Sequence, residues 1–147
     1  MDWIQKISLA HLVVTLMMTG VIWVVQLVIY PQFSDIGNDA FAGYHREYMK
    51  RITWIVGPLM LAEIATALVL AGASWGSTSF WWWAAGLGLV GLIWASTAFI
   101  SVPQHGALEL GLTDSRVRAL VMGNWLRTIL WSARSGLVIY LVIKCLR

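Results

Sequence analysis

Cysteine is almost absent: Cys145, two residues from the C-terminal end, is the only one. A single thiol excludes an internal disulfide, a structural CxxC motif and a Cys/His zinc site. Charge is scarce as well. Asp, Glu, Lys and Arg make up 12% of the residues, and the net charge of +3 contains no run of basic side chains. No nucleic-acid partner is therefore expected, and the scattered Lys and Arg read as anchors near membrane faces. There is no internal repeat and no low-complexity linker, so 1–147 is one domain. The opening MDWIQKISLAH lacks a basic n-region and a small-residue cleavage site, so the first apolar segment is expected to be retained.

What is abundant is apolar surface. Hydrophobic residues make up 59% of the chain, ten of them tryptophan, and the mean hydropathy is +0.74. A soluble domain of this length leaves too much surface exposed to hide that composition. Four apolar segments, about 9–32, 52–74, 80–102 and 119–145, each match the roughly 20 residues a spanning helix needs. Without water in the hydrocarbon to satisfy backbone groups, all four must be helical. The short GASWGST link between the second and third makes those two antiparallel neighbours. The expected fold is all-α: an integral membrane, up-down four-helix bundle.

The other two connections lie on one side of the bundle and are long. In SDIGNDAFAGYHREYMKR, Asn38 or Asp39 can cap a helix on which Phe41, Tyr44, Tyr48 and Ile52 recur at helical spacing. Thr113 or Asp114 can start another that runs on into the fourth span. Each composite helix is about 33–35 residues, or roughly 50 Å at 1.5 Å per residue, so both must project beyond the hydrocarbon or lie along its surface. Gly57-Pro58 is expected to kink the second helix, and Pro31 and Pro103 to end the first and third. Trp3, Trp75 and Trp81 to Trp83 suit one interface, Trp54 and Trp125 the other. Gly88, Gly91 and Ala95 form a small-residue face for close helix approach.

Arg46, Lys50, Arg51, Arg116 and Arg118 on the long-loop side outnumber Lys6, Lys144 and Arg147 opposite. The positive-inside rule then puts the long loops in the cytoplasm, with both termini outside.

Chemistry concentrates in GNWLRTILWSARSGL. Asn124, Arg127, Trp131 and Arg134 are spaced 3, 4 and 3 apart and share one face, which must look into the bundle because ionisable groups avoid lipid. Glu63 in the second span lies at a similar depth to Arg134, which predicts a structural Glu63–Arg134 ion pair. His11, Thr15, Thr19, Trp23, Gln26 and Tyr30 advance by steps of 4, 4, 4, 3 and 4 along the first span. Toward the long loops these elements predict a polar pocket with His45, His105 and Arg127 as catalytic groups. Gln26, Tyr30, Arg51 and Asn124 are expected around the ligand there, over a floor of Trp23, Trp94 and Trp131.

Paired histidines can ligate haem, and His45 and His105 are the candidates, but no HxxxH or Glu-x-x-His cluster supports a metal and hydrogen-bonded histidines are the simpler expectation. A pocket of Trp, Tyr, His and Arg suits a quinone-like or polyphenolic ligand: arginine holds a phenolate and tryptophan stacks on rings. The alternative is a non-catalytic accessory subunit packed on a larger membrane complex or on further copies of itself. Trp81-Trp82-Trp83 favours it, since three successive indoles cannot all face one bundle. A transporter is disfavoured because no broken-helix repeat is present.

VPQHGALELGL followed by NWLRTILWSARSGL resembles the end of the anthrone-oxygenase-like family of small four-span membrane proteins, most of them uncharacterised and bacterial. The matching positions are Pro103, His105, Leu108, Trp131 and Arg134, with His105 standing where Asn is usual. FAGYHREYMKRITWIVGPLMLAE, residues 41–63, is similar to an uncharacterised bacterial membrane family of the same layout. The resemblance covers the whole chain in topology and its second half in motif. It implies a four-span fold, a polar site at these residues, a bacterial inner-membrane location and, from the fungal members, oxygenation of anthrones to anthraquinones.

Overall fold

The computed structural model describes all 147 residues. It consists of four long helical rods, each long and apolar enough to cross a membrane. The first rod is α1 (Trp3–Val24), prolonged by a π-turn at Val25–Ile29 and a 3-10 turn at Pro31–Asp35. The second is α2 (Asn38–Ala73), 36 residues without interruption. The third is α3 (Phe80–Ser96), a π-turn at Thr97–Ser101 and α4 (Val102–Glu109); the fourth is α5 (Asp114–Leu146). Packing runs α1–α2, α2–α3, α3–α5 and α5–α1, a closed square of antiparallel neighbours in which α2 and α5 are diagonal.

Both π-turns have a sequence cause. Pro31 and Pro103 lack an N–H, and in an α-helix each ring would press on the carbonyl four residues back. The wide turn just ahead of each proline displaces that carbonyl. Tyr30 N–H donates to Val25 O and Val102 N–H to Thr97 O, five residues back in both cases. The first and third rods therefore do not end at their prolines as expected; each continues helically past them. Nor does Gly57-Pro58 interrupt α2.

Helix starts follow local chemistry. Asp2 and Gln5 form a reciprocal capping box on α1, and Thr113 Oγ1 accepts from Arg116 N–H at the start of α5. The expected Asn38 or Asp39 cap is absent. Gly37 occupies that position without a side-chain hydrogen bond, and Asp39 lies in the first turn, where its charge suits the helix dipole.

The bundle is apolar outside and polar inside, the arrangement a lipid surround favours. Leu27, Leu61, Leu92, Phe99 and Ile129 are exposed, whereas His11, Thr15, Gln26, Glu63, Asn124, Arg127, Thr128 and Arg134 are buried. Trp81 and Trp82 point outward and Trp83 inward, so the three indoles do diverge. Gly88, Gly91 and Ala95 also lie on the outer surface, and a side chain at either glycine would meet nothing within 4 Å. They are not where helices approach closely. That role falls to Gly86, against Arg134 and Leu137, and Gly123, against Gln104.

Candidate functional site

The polar interior falls into two layers, separated by Met18, Ile22, Met60, Ile93 and Trp131. In the layer nearer the termini, Arg134 Nε donates to Glu63 Oε1 at 2.8 Å, and both side chains are 1% exposed. The same carboxylate accepts from Thr15 Oγ1 at 3.1 Å and from Trp131 Nε1 at 3.0 Å. Arg134 Nη1 donates to the Gly86 carbonyl and Nη2 to His11 Nε2. Since His11 Nε2 accepts, its proton is on Nδ1, which faces Thr66 Oγ1 at 2.6 Å; Thr66 in turn donates to Ala62 O. One buried ion pair thus ties all four rods at a single level across the α2–α5 diagonal, with the remaining polarity of both ions satisfied. The sequence pointed to the pair but not to its partners His11, Thr66 and Gly86.

The second layer lies toward the long loops. Asn124 Nδ2 donates to Gln26 Oε1 at 2.8 Å, and Gln26 Nε2 donates to Val121 O at 3.1 Å, which fastens the first π-turn to α5. Arg127 Nη1 reaches Ser101 Oγ and Asn124 Oδ1, both at 3.2 Å, and its guanidinium lies over the Trp131 ring, 5.3 Å from the centroid. Its Nε has no hydrogen-bond partner. The only salt bridges are Glu63–Arg134 and the exposed Arg51–Glu47 pair, so Arg127 is a cation 6% exposed with no carboxylate at hand.

Beside it, Tyr30 Oη and His105 Nε2 are 2.9 Å apart, and His105 Nδ1 is 3.0 Å from His45 Nε2. This chain of three groups runs outward to His45, which is stacked on Phe41 and edged by Phe33, with Nδ1 unpartnered. The Tyr48 hydroxyl and the Arg127 guanidinium are further neighbours of the Tyr30 hydroxyl.

These groups close the deep end of a cavity of about 470 Å³. Tyr30, Tyr48, Thr97, Ser101, His105 and Arg127 give it polarity; Trp94 and a majority of aliphatic side chains form the rest of its wall. The second π-turn matters here, because it supplies Thr97 and Ser101 and sets the rotation of His105.

Of the residues expected in a pocket, Tyr30, Trp94, His105 and Arg127 line this one. His45, Gln26, Asn124 and Trp131 are buried behind it and hold the lining groups in place. Two expectations fail. Trp23 is 38% exposed, donates to Ser132 and meets Trp125 edge-on, so it belongs to the outer surface rather than the floor. Arg51 is solvent-facing and bound to Glu47. Tyr48 and Ser101 line the cavity without having been singled out for it, although Tyr48 stood on the apolar stripe with Phe41 and Tyr44.

An iron between two axial imidazoles would separate their nitrogens by two metal–nitrogen bonds of roughly 2 Å each. His45 and His105 touch directly, with ring centroids 5.2 Å apart, which leaves no place for a porphyrin between them. No group of three or more potential metal-binding side chains occurs elsewhere. No family model, curated protein or solved structure matches the chain.

Proposed function

We propose that this chain is an integral membrane protein that binds a planar phenol or quinone-like molecule in the Tyr30–His105–Arg127 cavity and moves a proton on its ring oxygen. The observation that carries this reading is Arg127: a guanidinium held at the cavity wall with no counter-ion. A buried cation without an anion is costly, and a phenolate would neutralise it. In this reading, neutral His105 receives the ring hydroxyl's proton through the Tyr30 hydroxyl, and Arg127 holds the oxyanion so formed. The wall residue Trp94 suits an aromatic guest.

The resemblance to anthrone-oxygenase-like proteins extends this to a reaction. Loss of a proton from an anthrone gives an anion that O2 oxidises, and the methylene becomes a carbonyl with release of water. Oxygen uptake on addition of an anthrone, lost in His105→Ala, tests that extension.

Binding itself is tested with 4-nitrophenol, whose visible absorption reports ionisation. In nanodiscs carrying the protein, the bound phenol should ionise at least one pH unit lower than in discs carrying Arg127→Gln, each unit corresponding to about 1.36 kcal/mol. Equal ionisation in the two would defeat the proposal. The cytoplasmic placement of the long loops rests on their basic residues and the bacterial inner membrane on the resemblance, and thiol labelling of single-cysteine variants on intact cells tests the sidedness.

A second reading, the accessory subunit, is favoured by Trp75 and Trp81, each 77% exposed at the end opposite the cavity. Native mass spectrometry of the solubilised protein separates the two. A stoichiometric protein partner without a bound aromatic molecule supports the subunit, and a retained aromatic molecule the pocket.

A further inference from the structure

The walls of the cavity are not equally covered. On the α1 side, Met18, Ile22, Val25 and Tyr30 are buried. On the facing edges of the second and third rods, the lining residues Thr53, Leu61, Ala98 and Val102 are all exposed. The cavity therefore opens sideways, between α2 and the π-turn that follows α3. Around this mouth stand Trp54 and Phe99, 76% and 80% exposed. Such a rim suits hydrocarbon, not water. Gly57 lies at the same gap, lines the cavity, and a Cβ placed on it would meet nothing within 4 Å. A missing side chain there leaves a slot from the polar end of the cavity to the lipid.

We infer that the natural ligand is an amphiphile, an oxygen-bearing aromatic ring with a long apolar tail, and that the tail leaves the protein between α2 and α3 past Gly57. The inference rests on the proposed ring site and adds its route and its substrate class. A ring alone would fill only the deep end, where the polar groups are gathered. The aliphatic length from Met60 and Leu61 to Val102 is wall without polar function, and a tail supplies what it packs against. Entry from the bilayer also spares the ligand passage through the long-loop side, where Phe33, Phe41, Leu108, Val117 and Leu120 form a closed apolar cluster.

Gly57→Leu tests this, because a side chain there has space beyond the helix to occupy; since a Cβ at this position crowds the Pro58 ring, circular dichroism of the variant must match wild type. The probes are 4-nitrophenol and its 2-decyl derivative, titrated into nanodiscs with empty discs as the partition reference. Wild type should bind both. In Gly57→Leu the affinity ratio of decylated to tail-less probe should fall at least tenfold, whereas Gly91→Leu, on the outer face of α3, should leave the ratio within twofold of wild type. An unchanged ratio in Gly57→Leu, or a wild type that binds the tail-less probe alone, overturns the tail inference and leaves the ring site standing. Failure of wild type to bind either probe overturns both.

Discussion

Removing the negative member of the buried pair should be more damaging than any single hydrogen bond suggests. Glu63 accepts from Arg134, Thr15 and Trp131. In Glu63→Gln the amide carbonyl can still accept, but its NH2 is turned on at least one of these donors, and Arg134 becomes a second uncompensated cation in the bundle. Breaking a buried pair from one side costs about 3–5 kcal/mol. At roughly 2–4 °C per kcal/mol for a domain of about 150 residues, the midpoint should fall by about 6–20 °C. Arg134→Gln should do similar harm by stranding the carboxylate. The double variant removes both charges, so its loss should be smaller than the sum of the single losses by about 2 kcal/mol or more. Thermal unfolding in one detergent, followed by tryptophan fluorescence, measures all three. Single losses below about 1 kcal/mol, or losses that simply add, would show that the pair is not the brace described above.

Two further outcomes follow from the geometry. Arg127→Met removes an unpaired cation, so without ligand it should raise stability by about 1–3 kcal/mol while abolishing the phenolate effect; a destabilised variant would mean that Arg127 is already neutralised. At Gly86, a Cβ would stand 3.4 Å from Arg134 Nη1. Gly86→Ala should therefore be near neutral in unfolding experiments, its packing contact set against better helix propensity, whereas the branched Gly86→Val should cost about 1–3 kcal/mol by pushing the guanidinium off its carbonyl.

The sequence revealed polar positions better than apolar ones. In a lipid-embedded bundle both the inner and the outer face are apolar, so hydrophobic periodicity does not tell them apart. A carboxylate, guanidinium or carboxamide does, and Glu63, Arg127, Arg134, Asn124 and Gln26 were all legible as interior. Tryptophan and glycine carry no such mark, so the sequence does not separate Trp23 or the Gly88–Gly91–Ala95 face from interior positions. Trp23 shows the arithmetic. Each step of four residues overshoots a helical turn by about 40°, so three steps from His11 rotate it about 120° away. The buried series is instead His11, Thr15, Met18, Ile22 and Val25. The reach of Arg134 to Gly86 on the neighbouring third rod was not readable, because it ends on a backbone carbonyl. Nor was the path past Pro31 and Pro103: the residue types forbid an α-helical bond there, but only the packed structure shows the chain choosing a wider turn over a break.

Those two turns make the cavity a matter of chain length. A π-turn holds one residue more than the α-helical turn it replaces. Were the third rod to wind as a regular α-helix through Thr97–Ser101 with every residue kept, everything beyond would rotate by about 100°. His105 would then turn away from Tyr30 and Ser101 from Arg127, with composition and hydropathy unchanged. Deleting one of these residues together with the wide turn would restore the facing of His105 and press the Pro103 ring on the carbonyl four residues back. The site is thus encoded in the width of one turn as much as in the identities of its residues, and a residue lost or gained here spares the chemistry only when the turn changes with it.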